Sequence, residues 1–166
     1  QARKNLKALF PVANKNLGQH FLHEQKYIEK IVQQKPDDCQ AILEVGCGPA
    51  VLSKHLVKYA LPFKAIEKDL RFTPELEKFV GLEHVIFEDA LHFNYHSVLL
   101  PWQKIWLVSN LPYNIGVPLL LQFIREPRFC QLTVMLQKEV ADKICTIFTR
   151  PNRAMNSLMA LVGNWY

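Results

Sequence analysis

The fold is decided by the stretch AILEVGCGP, residues 41–49, in which an apolar run ends in a glycine-rich turn. The run has the length of a buried strand, and apolar residues of the following stretch 51–59 recur at helical spacing. The sequence therefore predicts a strand, a glycine turn and a helix, which is the repeating unit of parallel α/β sheets.

The same alternation continues along the chain. Further strands are predicted at 63–67, 84–87, 105–108 and 132–136. Helices are predicted at 23–34, 73–80, 117–125 and 138–148, with a final packed helix at 155–166. Thr73 is the predicted N-cap of its helix, with Pro74 at the first helical position. We expect an α/β domain with a mostly parallel sheet and helices on both faces.

The composition is that of one globular domain. The 166 residues are 49% hydrophobic and 21% charged, and no apolar stretch approaches the roughly 18 to 20 residues needed to cross a bilayer. No signal segment opens the sequence, and the cysteines form no C-x-x-C pair. We expect a soluble, cytoplasmic monomer with reduced thiols, no metal site and no membrane contact.

Positive charge is concentrated at the start of the sequence. Four cationic side chains precede the first acidic residue, Glu24, and they are Arg3, Lys4, Lys7 and Lys15. A basic arm of this kind suits the phosphate backbone of a nucleic acid. A solvated leader or a cleaved organellar presequence would carry the same charge, so charge by itself leaves three interpretations open.

A cofactor site is predicted where the first strands end. Ligands of open α/β sheets bind beyond the carboxyl ends of the strands, and Gly46 and Gly48 would let a ligand approach the backbone there. Glu67 ends the second strand about 20 residues further on, where an acid can accept ribose hydroxyls. Val51 replaces the third glycine of the dinucleotide pattern, which favours S-adenosylmethionine. Asp89 would accept the adenine amine or cap a turn.

The chemistry is predicted at Asn110-Leu111-Pro112-Tyr113, after the fourth strand. An exocyclic adenine amine is a poor nucleophile, because its lone pair is delocalised into the ring. The Asn110 side-chain oxygen and the Leu111 carbonyl can accept its N–H groups and aim the lone pair at a methyl donor. Pro112 stiffens the turn, and Tyr113 offers a ring face to an unstacked base. An incidental turn is the alternative.

Six motifs in this order resemble the rRNA adenine N6,N6-dimethyltransferase family of the kasugamycin-sensitivity type. They are NLGQHFL at 16–22, EVGCG at 44–48, AIEKD at 65–69, EDA at 88–90, NLPYNI at 110–115 and MLQKEV at 135–140. The resemblance implies a Rossmann-like class I fold and S-adenosylmethionine-dependent dimethylation of two adjacent adenosines in small-subunit rRNA. It places cofactor contacts at His20, Leu22, Gly46, Glu67, Asp89 and Asn110, and we expect Gln19, Gly48 and Ala90 to join them.

Two positions depart from the family pattern. His20 stands where Asn is usual, and Cys47 where Pro is usual. Two other functions stay open. One is a methyltransferase of the erythromycin-resistance type, which modifies large-subunit rRNA and typically reads N-I-P-Y, although Leu111 and residues 18–22 favour the small-subunit enzymes. The other is a ribosome-assembly or transcription factor that keeps the fold without turnover.

The resemblance also implies seven strands followed by a small helical RNA-binding domain. Only five strands are placed in the sequence, so we expect a basic arm with a cofactor-capping motif at 1–22 and an incomplete catalytic domain at 23–166. This domain would be truncated before its last two strands, and the helical domain would be absent. The fifth strand is then expected to be an exposed edge. The expected partner is small-subunit rRNA or the immature small subunit.

Overall fold

Six strands form one sheet in the computed structural model, which describes residues 24–99, 101–112, 114–137 and 139–141 and the backbone of Met159–Leu161. The strands are β1 Ala41–Val45, β2 Phe63–Glu67, β3 Val85–Phe87, β4 Ile105–Asn110, β5 Phe129–Met135 and β6 Met159–Leu161. Their order is β3-β2-β1-β4-β5-β6, and every neighbouring pair is parallel. The order reverses at β1, which creates the switch point where such sheets bind ligands.

Helices connect the strands, as the alternation predicts. The α-helices are α1 Gln25–Val32, α2 Ser53–Leu56, α3 Thr73–Phe79, α4 Tyr95–Leu99 and α5 Gly116–Arg125, and residues 139–141 are also helical. Short 3-10 turns lie at Val57–Tyr59, Leu70–Phe72 and Leu82–His84. Helix α4 was not predicted from the sequence. In the parts of the chain that the structure describes, no helix is long and apolar enough to cross a membrane.

Both faces of the sheet are covered. One face packs against α1, α2 and α3 through Ile31, Leu56 and Leu76. The other packs against α4 and α5 through Leu99 and Phe123. All five residues of β1 are buried, which is why this strand reads as an almost uninterrupted apolar run. The predicted α/β layers are confirmed.

The predicted final helix at 155–166 is wrong where the structure describes it. Met159–Leu161 is a strand that pairs with β5, with Met159 opposite Leu132. The count of five strands was therefore at least one too few, and β5 is not the edge strand of the sheet. A short apolar run without clear periodicity fits a buried helix or a buried strand, so the sequence pattern could not separate the two.

The start of α3 also differs from its prediction. Phe72 holds the N-cap position, and Thr73 is already helical, with Pro74 after it. The Thr73 hydroxyl donates to the Leu70 carbonyl at 2.6 Å. This hydroxyl therefore closes the preceding 3-10 turn instead of capping the helix, a local competition that threonine side chains often enter.

Strand β4 extends beyond its predicted end at Val108. Ser109 and Asn110 continue the ladder, opposite Val134 and Met135. The buried Ser109 hydroxyl donates to the Val45 carbonyl at 2.7 Å, so this polar residue is satisfied inside the sheet. Asn110 is thus the last residue of a strand, and its backbone is fixed at the edge where the site lies.

A hydrogen bond inside the core gives a test of this packing. The Trp106 indole N–H donates to the Thr133 hydroxyl at 2.9 Å, and both residues are fully buried. We expect Thr133→Val to lower the free energy of unfolding by about 1 to 3 kcal/mol, because the indole N–H loses its acceptor. Urea denaturation measures the loss, with the exposed Ser97→Ala as a control expected to change it by less than about 0.5 kcal/mol. Equal stability of the two variants would contradict the assignment.

Candidate active site

The carboxyl ends of β1, β2 and β4 lie side by side where these strands finish. This end of the sheet, as distinct from its outermost strands, is the edge meant in the description of the site. Val45 lies opposite both Ile66 and Ser109, and the Gly46 amide donates to the Ile66 carbonyl at 2.8 Å. A Cβ added at Gly46 would lie 3.6 Å from the Asn110 carbonyl oxygen. The parallel register therefore brings the glycine turn next to the end of β2 and the end of β4.

The turn after β1 uses backbone conformations that favour glycine. Gly46 has φ +73° and Gly48 has φ +50°, in the left-handed region where a Cβ is strained. Cys47 between them is only 4% exposed, and burial raises the pKa of its thiol well above the ordinary value. The side chain at this position therefore points into the core as an unreactive thiol, and it does not protrude from the glycine turn.

Glu67 is held against this turn. Its side chain is 7% exposed. One carboxylate oxygen accepts the Gly48 amide at 2.7 Å, and the other accepts the Asp69 amide at 2.8 Å. Burial raises the pKa of Glu67, while these amide donors favour the ionised form. Each oxygen can accept a further hydrogen bond, so the carboxylate is oriented and can still receive ligand hydroxyls.

The Asn110 turn is fixed by the end of the sheet and by α5. The Leu111 amide donates to the Met135 carbonyl at 3.2 Å, and the Leu111 side chain is 3% exposed. A Cβ added at Gly116, the first residue of α5, would lie 3.4 Å from the Leu111 Cβ. Pro112 is half-buried. The predicted chemistry residues Asn110 and Leu111 thus lie beside the glycine turn on a closely packed support.

Asp89 lies one strand further along the edge, just beyond β3. One of its oxygens accepts the Leu91 amide at 3.0 Å, which is the turn cap that the sequence left open. The other accepts the Lys68 ammonium at 2.8 Å, and that bond holds the pKa of Asp89 below its usual range. The Ala90 carbonyl accepts the Tyr95 hydroxyl at 2.7 Å, which fixes the turn from the other side.

A comparison with protein families identifies the chain. The family model described as ribosomal RNA adenine dimethylase matches residues 12–162. The chain belongs to the ribosomal RNA adenine dimethylase family. The resemblance drawn from the six motifs is confirmed.

Curated relatives of this dimethylase-family chain carry the name ribosomal RNA small subunit methyltransferase A. The protein from Phenylobacterium zucineum is 39% identical over 137 residues, which are 80% of this chain and 48% of the relative. The protein from Hahella chejuensis is 33% identical over 159 residues, covering 93% of this chain and 57% of the relative. The chain therefore spans about half the length of the curated relatives it matches.

Solved structures show the same fold. A dimethyladenosine transferase from Plasmodium falciparum aligns with a TM-score of 0.60 and 28% identity, over 76% of this chain and 46% of that protein. The 23S rRNA methyltransferase ErmE aligns with a TM-score of 0.65 and 23% identity, over 79% of this chain and 53% of that protein. At that identity the likeness to ErmE concerns the fold alone.

Several residues predicted for the dimethylase site lie outside the described residues. They are the capping-motif residues Gln19, His20 and Leu22, the ring of Tyr113, and the basic arm Arg3, Lys4, Lys7 and Lys15. Their roles stay predictions. Within the described ranges, no group of three or more His, Cys, Asp or Glu side chains could hold a metal ion.

The sequence analysis missed a buried polar pair behind the glycine turn. Glu44, on β1, is 2% exposed, and its carboxyl accepts the hydroxyl of Ser53, the first residue of α2. Burial raises the pKa of Glu44 to about 8, and the nearby Glu67 acts in the same direction. An acid inside an otherwise apolar strand was the signal that could have revealed it, since a buried carboxyl needs a partner.

The pH dependence of stability tests the burial of Glu44. Its pKa is about 8 in the folded protein and near about 4.3 in an unfolded chain. The stability that this proton contributes is therefore present below pH ~4 and is lost as the pH rises through about 8. The matched variant is Glu44→Gln, whose amide oxygen can still accept a hydrogen bond from the Ser53 hydroxyl. Relative to this variant, the free energy of unfolding of the parent should fall by up to about 1.4 kcal/mol for each pH unit between about 4.3 and 8.

Urea denaturation of both proteins between about pH 5 and pH 9 measures this difference. Because the other titrating groups are common to both proteins, the gap between the two curves reports the titration of Glu44 together with its electrostatic coupling to Glu67 and Cys47. Parallel curves across the whole range would show that Glu44 titrates in the folded protein as it does in the unfolded chain.

Proposed function

We propose that the chain binds S-adenosylmethionine and dimethylates N6 of two adjacent adenosines in small-subunit rRNA during ribosome biogenesis. The observation that carries the proposal is the Glu67 carboxylate bound to the Gly48 amide at 2.7 Å, at the edge where Asn110 ends β4. In a chain of the ribosomal RNA adenine dimethylase family, this edge places Glu67, the proposed acceptor for the adenosine ribose, near Asn110, whose side-chain amide suits the target amine.

The described residues fit the proposed cofactor. Glu67 is oriented by two backbone amides and retains acceptor capacity for the two ribose hydroxyls. Gly46 and Gly48 hold the turn open in conformations that larger residues avoid. Asp89 would receive the adenine amine. S-adenosylmethionine, when bound, supplies a methyl group on a positively charged sulfur.

In the proposed mechanism, Asn110 and Leu111 orient the target adenine amine. The Asn110 side-chain oxygen and the Leu111 carbonyl accept the N–H groups of the target adenine and direct its lone pair towards the methyl carbon. The bound donor would supply the methyl carbon to this lone pair, with the C–S bond breaking as the N–C bond forms, and the resulting ammonium would release its proton to water. Because that ammonium is acidic, no strong base is needed, and Tyr113 would stack on the target base.

The relatives support small-subunit rRNA as the substrate. They carry the small-subunit name at 33–39% identity, whereas the likeness to ErmE supports only a shared fold. The basic arm at Arg3, Lys4, Lys7 and Lys15 would contact rRNA phosphates, since clustered cations neutralise the backbone. The expectation of a cytoplasmic monomer stays a prediction.

Replacing Asn110 separates catalysis from binding. In the full-length protein we expect Asn110→Ala to lower transfer of tritiated methyl groups to immature small subunits by about 100-fold or more, because the target amine loses an oriented acceptor. Affinity for rRNA should stay within about twofold. The matched control is Asn94→Ala, an exposed asparagine in the turn before α4, which should leave the rate unchanged.

Two results would contradict the proposal in different ways. Full methyl transfer by Asn110→Ala would remove Asn110 from the mechanism. A folded parent that binds S-adenosylmethionine and immature subunits but transfers no methyl group would favour the alternative of a ribosome-assembly or transcription factor without turnover.

A further inference from the structure

An ion pair crosses the edge of the sheet at the proposed adenine position. Lys68 directly follows Glu67 at the end of β2, and Asp89 lies just beyond β3, the neighbouring parallel strand. The Lys68 ammonium lies 2.8 Å from an Asp89 carboxylate oxygen. The Lys68 side chain is 58% exposed and that of Asp89 is 29% exposed, so both charged groups are open to an incoming ligand.

The pair weakens the negative charge that an adenine amine would meet at Asp89. One Asp89 oxygen is committed to the Leu91 amide, and the other to Lys68. Each oxygen can accept one further hydrogen bond, but an amine that donates there meets a carboxylate whose charge the ammonium at 2.8 Å partly neutralises. At the same place the ammonium offers N–H donors, which a carbonyl oxygen could accept. Donor and acceptor groups thus stand side by side.

We propose that Lys68 is a specificity-determining residue that weakens the preference of this site for adenine over hypoxanthine in the cofactor's base. The inference rests on the proposed function, in which Asp89 faces position 6 of the purine. Adenine carries an amine there, which donates to Asp89. Hypoxanthine carries an oxygen there, which accepts from Lys68. Lys68 therefore weakens the hydrogen bond from adenine to Asp89 and assists hypoxanthine.

The size of the effect follows from the exposure of the pair. Exposed ion pairs contribute little in water, so removing Lys68 should shift each affinity by about threefold rather than by orders of magnitude. The two shifts have opposite signs, because adenine meets a carboxylate whose charge is no longer partly neutralised, while hypoxanthine loses a donor. The ratio of adenine affinity to hypoxanthine affinity is therefore expected to rise by about tenfold.

Calorimetric titration of the full-length protein tests the proposal with two probes. S-adenosylhomocysteine carries adenine, and S-inosylhomocysteine carries hypoxanthine. In Lys68→Met, which keeps the apolar stem without the ammonium, the adenine probe should bind about threefold more tightly and the hypoxanthine probe about threefold more weakly. In a second comparison, on an Asp89→Ala background, Lys68→Met should no longer improve binding of the adenine probe.

Lys104→Met is the matched control. Lys104 forms a similarly exposed ion pair with Asp38, just before β4 and thus at the opposite end of the sheet. This variant should leave the ratio of the two affinities unchanged. The role of Lys68 would be overturned if the ratio of adenine-probe affinity to hypoxanthine-probe affinity were unchanged or lower in Lys68→Met. If the parent binds the adenine probe normally, that result would leave the proposed function standing. A folded parent that binds neither probe would overturn both.

Discussion

The hydrogen bond between the Gly48 amide and the Glu67 carboxylate is the interaction on which the site depends. A carboxylate that is 7% exposed is stable only with oriented donors, and this bond of 2.7 Å supplies one from the adjacent turn. The same bond fixes the turn over the end of β2. A change that moves either strand would therefore disturb both the proposed ribose acceptor and the backbone that a ligand approaches.

The rest of the edge follows from parallel register and burial. Because β1 pairs with β2 on one side and β4 on the other, the turn that holds Glu67 also lies beside Asn110. The Ser109 hydroxyl ties β4 to the Val45 carbonyl, and Glu44 ties β1 to the start of α2. These contacts fix the position of Asn110, and hence of the proposed binding site for the target amine, through the whole sheet and not through one loop.

Much of this could be predicted from the sequence, because local patterns determined it. The bounds of β1 and β2 follow from apolar runs that end in a turn, and the convergence of Gly48 with Glu67 follows from the rule for parallel strands. The features that could not be predicted depend on contacts between residues far apart in the sequence. The pairing of Met159–Leu161 with β5 depends on register, and the partner of Lys68 is 21 residues away. Neither leaves a periodic signal in the sequence.

The most direct test of the account is a crystal structure of the full-length protein with S-adenosylhomocysteine. The account predicts that both ribose hydroxyls lie within hydrogen-bonding distance of the Glu67 carboxylate, while that carboxylate keeps its bond to the Gly48 amide, and that the sulfur faces Asn110. A ligand bound away from the carboxyl ends of β1 and β2, or a ribose that leaves Glu67 untouched, would contradict it.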